Sequence, residues 1–143
     1  MKLVVDNSVV MRWLFKDGSE ADLMYAASVA KVVETSEVHV PALFIAEVAN
    51  VISRALKAGV ISKTQCELHF DLINAMQANI ASPQSTVQAQ HVAYKAFEEN
   101  LSAYDASYLL LAQNLNCPIA TLDKDLRRAA KNAGLSISCM TSD

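Results

Sequence analysis

The sequence predicts an α/β fold in which a parallel sheet is covered on both faces by helices. Short apolar runs alternate with longer segments of helical periodicity, and strands joined by helices run parallel in such folds. No linker rich in proline, glycine or serine, no repeat and no low-complexity tract divides the 143 residues. We therefore expect residues 1–143 to form a single domain.

Five segments are predicted to be strands because they are short, apolar and bounded by turn residues or helical patterns. In chain order they cover residues 2–6, 38–40, 79–81, 119–121 and 135–139. Pro41 closes the second strand, and Pro83 follows the third, which has the weakest pattern. Together the five segments would form the parallel sheet.

Seven segments have helical periodicity. They cover residues 8–15, 20–35, 42–58, 62–76, 86–99, 102–114 and 124–133. A turn at residues 17–19 separates the first two helices. Gly59 and Gly134 directly follow the third and seventh, where glycine commonly ends a helix. Ser62 and Gln65 have the spacing of a capping box, which predicts the start of the fourth.

The composition is that of a folded protein without a membrane span. Hydrophobic residues make up 52% of the chain, which excludes disorder. No apolar run approaches the ~18 residues that cross a bilayer, and residues 3–5 are too short a run for a secretory signal. The net charge of −3 excludes a broad basic surface for nonspecific binding of nucleic acid.

The cysteines and histidines show no disulfide or zinc pattern. The cysteines are odd in number and far apart, which is typical of reduced thiols in the cytosol. We therefore expect a cytoplasmic protein. The histidines lack paired spacing and are interpreted as structural. These residues are Cys66, Cys117 and Cys139, and His39, His69 and His91.

Four acidic residues occupy places that suit a carboxylate poorly. They are Asp6, at the end of an apolar strand; Glu47, the only charge in the apolar stretch at residues 40–52; Asp105, directly before an apolar helical segment; and Asp123, at the end of another strand. A buried carboxylate is usually paired, protonated or bound to a metal. No basic partners are near in sequence, so the four acids indicate a site for a divalent cation. Asp6 and Asp123 follow strands, and ligands gather beyond the carboxyl ends of parallel strands.

Each acid also has a structural interpretation. Asp6 and Asp123 could cap the helices that follow them, and Asp105 could favour the positive end of its helix. Glu47 is harder to explain in this way, because it lies mid-helix among apolar neighbours. Asn50, one turn later, could share its face and supply a polar group.

Other polar residues have two interpretations each. Ser8 could cap a helix or contact a metal-bound water, Thr121 could supply a hydroxyl to the site or simply belong to its strand, and Tyr104 could line a cleft or pack. Two groups of basic residues could contact phosphate, although such charges usually form solvated faces. They are Arg12 and Lys16 on one helix, and Lys124, Arg127, Arg128 and Lys131 on another.

Four short motifs in order give the chain a family resemblance. They are VVDNSVV at residues 4–10 with Trp13 after it, PALFIAEVANV at 41–51, LSAYDA at 101–106, and ATLDKDL at 120–126 with a basic helix after it. With these motifs the whole chain resembles the PIN-domain ribonucleases, in particular the VapC-type toxins of toxin–antitoxin pairs.

The resemblance implies a three-layer PIN fold, with a central five-stranded parallel sheet and the four acids grouped at its carboxyl edge. It also implies cleavage of RNA that depends on Mg²⁺ or Mn²⁺. Asp6 and Asp105 are then expected to bind the metal directly. Glu47 and Asp123 would be ligands, supports of ligands or groups that position the attacking water. Asp125 is an alternative to Asp123, which is preferred because it directly follows the strand.

The resemblance further implies a small antitoxin protein as partner and a homodimer. The helices also have more apolar surface than one small sheet can cover, which favours a dimer. The candidate interface residues are Met24, Leu68, Leu72 and Met76. We expect the antitoxin to lay an apolar segment along the helices near Glu47 and to direct an Arg or Lys towards Asp6 and Asp105.

Three alternatives remain at this stage. The chain could be a housekeeping PIN nuclease or an inactive PIN-like scaffold, although the presence of all four acids argues against the latter. From another class, it could be a Mg²⁺-binding receiver-like signalling domain. A receiver usually has an acidic pair after its first strand, whereas Asp6 is followed by Asn7. It also has an acid after its middle strand, where this chain has Ser82 and Pro83.

Overall fold

A computed structural model describes residues 1–140. Its sheet contains four parallel strands in the order β3-β2-β1-β4. The strands are β1 (Lys2–Val5), β2 (Glu37–Val40), β3 (Asn79–Ile80) and β4 (Ile119–Ala120). Val4 of β1 lies between His39 of β2 and Ile119 of β4. The predicted parallel sheet is therefore confirmed, with β1 at an inner position.

All seven predicted helices are present, with ends that differ by a few residues from those predicted. They are α1 (Asn7–Phe15), α2 (Glu20–Val33), α3 (Leu43–Lys57), α4 (Lys63–Ala75), α5 (Thr86–Glu99), α6 (Ala103–Leu115) and α7 (Lys124–Asn132). Ser62 and Gln65 form the reciprocal hydrogen bonds of a capping box at α4. Gly59 has φ +71° and Gly134 has φ +77°. This left-handed conformation favours glycine where a helix ends.

The predicted fifth strand at residues 135–139 is wrong, and the sheet has four strands in the described part of the chain. Only Ile137 forms a bridge, which is parallel and pairs it with Ile119. The Tyr25 hydroxyl donates to the Ser138 carbonyl at 2.9 Å, so a side chain occupies that acceptor. Cys139 has φ +63°, which turns the chain away from an extended path. An apolar run is thus held at the edge of β4 without forming a strand.

The core lies on both sides of β1. Leu3, Val4 and Val5 are fully buried, and successive residues of a strand point to opposite faces. Both faces of the sheet are therefore covered, as predicted. Tyr108 and Leu109 of α6 are also fully buried, and α6 packs against β1.

Helix α4 lies at the periphery, because none of its residues is buried. Among the described residues, no helix is long and apolar enough to cross a membrane.

Candidate active site

Asp6 follows the last residue of β1 and is only 4% exposed. Its Oδ2 accepts hydrogen bonds from Ser8 Oγ and Thr121 Oγ1, both at 2.7 Å. Burial raises the pKa of Asp6, the two hydroxyls lower it, and the nearby charge of Asp123 raises it. The side chain makes no capping hydrogen bond to α1, so the interpretation of Asp6 as a simple helix cap is wrong.

The hydroxyls of Ser8 and Thr121 connect the ends of β1 and β4. Ser8 Oγ accepts from the backbone N–H of Leu122 at 3.1 Å, and Thr121 Oγ1 accepts from that of Asp123 at 3.0 Å. Each hydroxyl therefore donates to Asp6 while it holds the start of the segment that carries Asp123. The structure brings these two secondary candidates directly to the first acid.

Glu47 lies in the middle of α3 and is half-buried. Its Oε1 accepts a hydrogen bond from the hydroxyl of Tyr108 at 2.6 Å. The pKa of Glu47 is raised to about 6, chiefly by burial; the Tyr108 hydrogen bond lowers it, and the charges of Asp6 and Asp105 raise it. Glu47 therefore shares an electrostatic environment with two acids from other elements.

Sequence reasoning did not identify the role of Tyr108. Burial and the bond to Glu47 raise the pKa of its hydroxyl far above the usual range, so the group remains a hydrogen-bond donor. A tyrosine inside an apolar helix needs a polar partner for its hydroxyl. That requirement could have marked Tyr108, although the sequence does not indicate which partner it has.

Asp105 lies in the first turn of α6, where Ser102 caps the helix by accepting from the Asp105 backbone N–H at 3.1 Å. The half-buried carboxylate has a pKa raised to about 6. Burial is the largest cause, followed by the charges of Asp6 and Asp123. The position at a helix N-terminus is thus confirmed. The pKa is nevertheless raised, because burial and neighbouring acids outweigh the interaction of the carboxylate with the Ser102 side chain, which lowers it.

Asp123 caps α7, since its Oδ1 accepts from the Leu126 backbone N–H at 2.8 Å. The capping interpretation is therefore confirmed, and the same carboxylate also raises the pKa values of Asp6 and Asp105. Asp125 is exposed and forms an ion pair with Arg128 at 2.8 Å. Burial and proximity to the other acids favour Asp123 over Asp125.

Two of the basic residues on α7 make contacts within the protein. Arg127 Nε donates to the Thr121 carbonyl at 2.7 Å, and its guanidinium lies 4.6 Å from the centre of the Tyr25 ring. Arg128 binds Asp125 and also donates to the Glu99 carbonyl at 2.6 Å. The structure thus gives both arginines roles inside the fold.

The first basic group and the remaining polar candidate lie elsewhere. Arg12 of α1 pairs with Asp17 at 3.0 Å. Asn50 is exposed on α3 and lines the same cavity as Glu47 and Tyr104. Asn50 therefore lies on the same side of α3 as Glu47, as its spacing from Glu47 predicted.

The chemistry of the donors fits a hard divalent cation held by few protein ligands. In residues 1–140 no three His, Cys, Asp or Glu side chains enclose a metal ion by themselves. Mg²⁺ is typically bound by one or two carboxylates, with water and substrate phosphate as the other ligands. The charges of Asp6 and Asp105 raise the pKa of Glu47, and those of Asp6 and Asp123 raise the pKa of Asp105. Negative charge is therefore concentrated in this region. A divalent cation would offset that charge.

Comparison with known proteins assigns the class. The PIN domain family matches residues 3–132, and the chain belongs to this family. The alternative of a receiver-like domain is therefore wrong.

Particular relatives support the VapC resemblance. The chain is 30% identical over 123 residues to VapC ribonuclease Mb0985 of Mycobacterium bovis and to ribonuclease VapC9 of Mycobacterium tuberculosis. In both comparisons 85% of each chain is covered. The resemblance to VapC ribonucleases is thus confirmed.

Solved structures show the same fold at low sequence identity. The crystal structure of PAE2754 from Pyrobaculum aerophilum matches with a TM-score of 0.65 and 19% identity, covering 90% of this chain and 87% of that one. The crystal structure of FitAcB from Neisseria gonorrhoeae matches with a TM-score of 0.61 and 17% identity, covering 94% and 95%. The fold is therefore retained where little sequence identity remains.

Proposed function

We propose that this chain is an endoribonuclease that hydrolyses RNA with Mg²⁺ or Mn²⁺ and acts as the toxin of a toxin–antitoxin pair. The observation that carries the proposal is that a PIN fold brings Asp6, Glu47 and Asp105 near one another from three separate parts of the chain. Hydroxyl groups hold Asp6 and Glu47 in place, and the charges of Asp6 and Asp105 raise the pKa of Glu47. Relatives named VapC ribonucleases support RNA as the substrate. In this proposal residues 1–143 act as one PIN domain.

Asp6 and Asp105 would hold the metal, with Asp123 close enough to influence both electrostatically. When bound, the ion would supply activation of water, orientation of the phosphate and stabilisation of the leaving oxygen. Ser8 and Thr121 keep Asp6 in one orientation through its Oδ2. Asp6 would therefore be a metal ligand of fixed orientation at the buried side of the site.

Glu47 would position the attacking water and accept its proton. Tyr108 fixes Oε1 of Glu47, which limits the orientations that the carboxylate can adopt. A pKa of about 6 suits proton transfer near neutral pH. Glu47 therefore combines a fixed geometry with a suitable basicity.

A small antitoxin would restrain the enzyme. The acids attract a basic side chain, above all an arginine, whose planar fork matches a carboxylate. Exposed Ile45, Ala46 and Ala49 on α3 offer apolar surface near Glu47 for the partner's segment. The partner would thus direct an Arg or Lys towards Asp6 and Asp105. Such an enzyme would act in the cytoplasm.

Cleavage by the purified chain tests the nuclease proposal. We expect the wild type to cleave single-stranded RNA in Mn²⁺ or Mg²⁺ and to stop when EDTA is added. Asp6→Asn should abolish cleavage, whereas Asp71→Asn is the matched control, because Asp71 is exposed on the peripheral helix α4. Equal cleavage by wild type and Asp6→Asn would contradict the assignment, and an inactive wild type would contradict the nuclease proposal.

Expression in a bacterial host tests the toxin proposal separately. The wild type should arrest growth, Asp6→Asn should not, and co-expression of the small gene beside it should restore growth. Harmless expression of a chain that cleaves RNA in vitro would instead favour the housekeeping nuclease.

A further inference from the structure

A cavity of about 410 Å³ lies beside Glu47, between α3 and the start of α6. Asn7, Asn50 and Val51 line it, and Tyr104 forms another part of its wall. Tyr104 directly precedes Asp105 and is 64% exposed. An exposed aromatic ring thus adjoins the acids at a cavity that opens to solvent.

We propose that this cavity binds one unpaired base of the RNA substrate, stacked on Tyr104 and hydrogen-bonded by the amides of Asn7 and Asn50. The inference rests on the proposed ribonuclease function and assigns a binding site to that same substrate. In this proposal Tyr104 binds the substrate next to the point of cleavage.

The exposure of Tyr104 differs from that of two tyrosines with structural roles. Tyr108 is fully buried and bonds Glu47, and the half-buried Tyr25 bonds the Ser138 carbonyl and contacts Arg127. Tyr104 leaves most of its surface in water, which is unfavourable for an aromatic ring. A base stacked on the ring would cover that surface, and such stacking contributes about 1–3 kcal/mol per base.

The charges of the cavity favour a base over a phosphate. Among residues 1–140 no Lys, Arg or His lines it, and the one charged group there is the carboxylate of Glu47. A phosphate would be repelled there, whereas an uncharged base would not. The metal would hold the phosphate of a nucleotide. This cavity therefore suits the base of that nucleotide.

The polar groups of the cavity match the edge of a base. Asn7 Oδ1 is buried and has no hydrogen-bond partner within residues 1–140. A side-chain amide offers both a donor and an acceptor, and single-stranded RNA is recognised through hydrogen bonds to its exposed base edges. Asn7 therefore lines the cavity with hydrogen-bonding capacity that the fold does not use, and Asn50 adds a second amide.

This site is tested by measuring how two proteins, with and without the Tyr104 ring, bind two ligands, with and without bases. The full chain carries Asp6→Asn, which is expected to abolish cleavage under the proposed function and leaves the residues that line the cavity unchanged. Its affinity is measured by fluorescence anisotropy for a short single-stranded RNA and for the same ribose-phosphate chain without bases. We expect Tyr104→Ala to weaken binding of the RNA about 10-fold, the equivalent of one stacked base. Binding of the abasic chain should not change.

Two further variants act as controls, and a third tests the second amide of the site. Tyr104→Phe keeps the ring and should bind the RNA as the parent does. Tyr94→Ala removes another exposed tyrosine, on α5, and should leave both affinities unchanged. Asn50→Ala should weaken binding of the RNA and leave the abasic chain unaffected.

The results separate the two proposals. If Tyr104→Ala changes both affinities equally or neither, the base site is overturned, even where the wild type cleaves RNA. If binding depends on Tyr104 and on the bases, the site is supported. Should the wild type nevertheless fail to cleave RNA in Mn²⁺, the nuclease proposal alone would be overturned.

Discussion

The hydrogen bond between Tyr108 and Glu47 is the contact that most directly controls the orientation of a candidate catalytic group. Its two residues are 61 positions apart, and Tyr108 is fully buried in α6. The hydroxyl can neither ionise near neutral pH nor easily change partner. Glu47 is therefore held in place by the core rather than by solvent.

Tyr108→Phe should reduce cleavage of RNA while the protein remains folded. The phenyl ring keeps the packing, but Glu47 loses the group that fixes Oε1 and lowers its pKa. Losses of about 10–100-fold are typical when a residue that orients a ligand is removed. Tyr94→Phe, at an exposed tyrosine, is the control for kcat. Unchanged kcat in Tyr108→Phe would contradict the positioning role.

The raised pKa of Glu47 also has a consequence for stability. The pKa is about 6 in the folded protein, compared with an ordinary value of 4.5. Between these values the folded state binds more protons than the unfolded state, so this group's contribution to stability falls as pH rises and is fully lost above pH 6. The contribution of Asp105 has the same sign, since its pKa rises from 3.8 to about 6.

Glu47→Gln should therefore stabilise the metal-free protein relative to wild type, and more so at pH 7 than at pH 4. The neutral amide removes the charge that burial and the neighbouring acids disfavour. Thermal melts in EDTA across this range measure the difference in Tm. A constant difference at all pH values would show that the pKa of Glu47 is not raised.

At the scale of elements, two hydroxyls join the end of β1 to the segment between β4 and α7. Thr121 is fully buried, and it donates to Asp6 across 115 positions in the chain. It also accepts from the backbone of Asp123. Thr121 thus bonds directly to both acids, and Ser8 adds a second link through Leu122.

Thr121→Val should destabilise the fold and reduce cleavage. The valine has nearly the same shape but leaves both Asp6 and the backbone of Asp123 without that partner. We expect a loss of about 1–3 kcal/mol, typical of a buried polar group left unsatisfied. Urea denaturation measures this loss, with Thr35→Val as the exposed control. Equal stability of the two variants would contradict the proposed role of Thr121 in joining the strand ends.

For the whole molecule, a divalent cation should stabilise the folded state. A ligand that binds only the folded protein raises its apparent stability. Mn²⁺ should therefore raise the Tm of wild type by more than that of Asp105→Asn, and without metal the variant could melt above wild type because a like charge is gone. If Mn²⁺ shifts both proteins equally, the shared metal site is wrong.

The apolar surface around α4 favours the homodimer that we expect from the sequence. Leu68 and Leu72 are each 58% exposed, and Met24 of α2 is 66% exposed, whereas Met76 is half-buried. Leu68→Glu together with Leu72→Glu should shift light scattering from the dimer mass to about 15.5 kDa. Val87→Glu on α5 is the control. A wild type that remains at the monomer mass into high micromolar concentrations would contradict the dimer.

Local patterns in the sequence predicted much of the fold and of the site. Helix spacing, the capping box at Ser62 and the glycines at helix ends depend on neighbouring residues, so all seven helices were predicted. The parallel order of strands and helices placed Asp6 and Asp123 at the carboxyl edge of the sheet. Glu47 was identified because a charge inside an apolar helix needs a specific reason.

Only the tertiary structure decided which distant groups meet. The predicted strand at residues 135–139 has an apolar pattern, but the Tyr25 hydroxyl and the left-handed Cys139 limit it to one bridge. The partners of Glu47 and Asp6 lie far away in sequence. Periodicity describes which face of an element is buried, whereas contacts between elements depend on how the packed core brings them together.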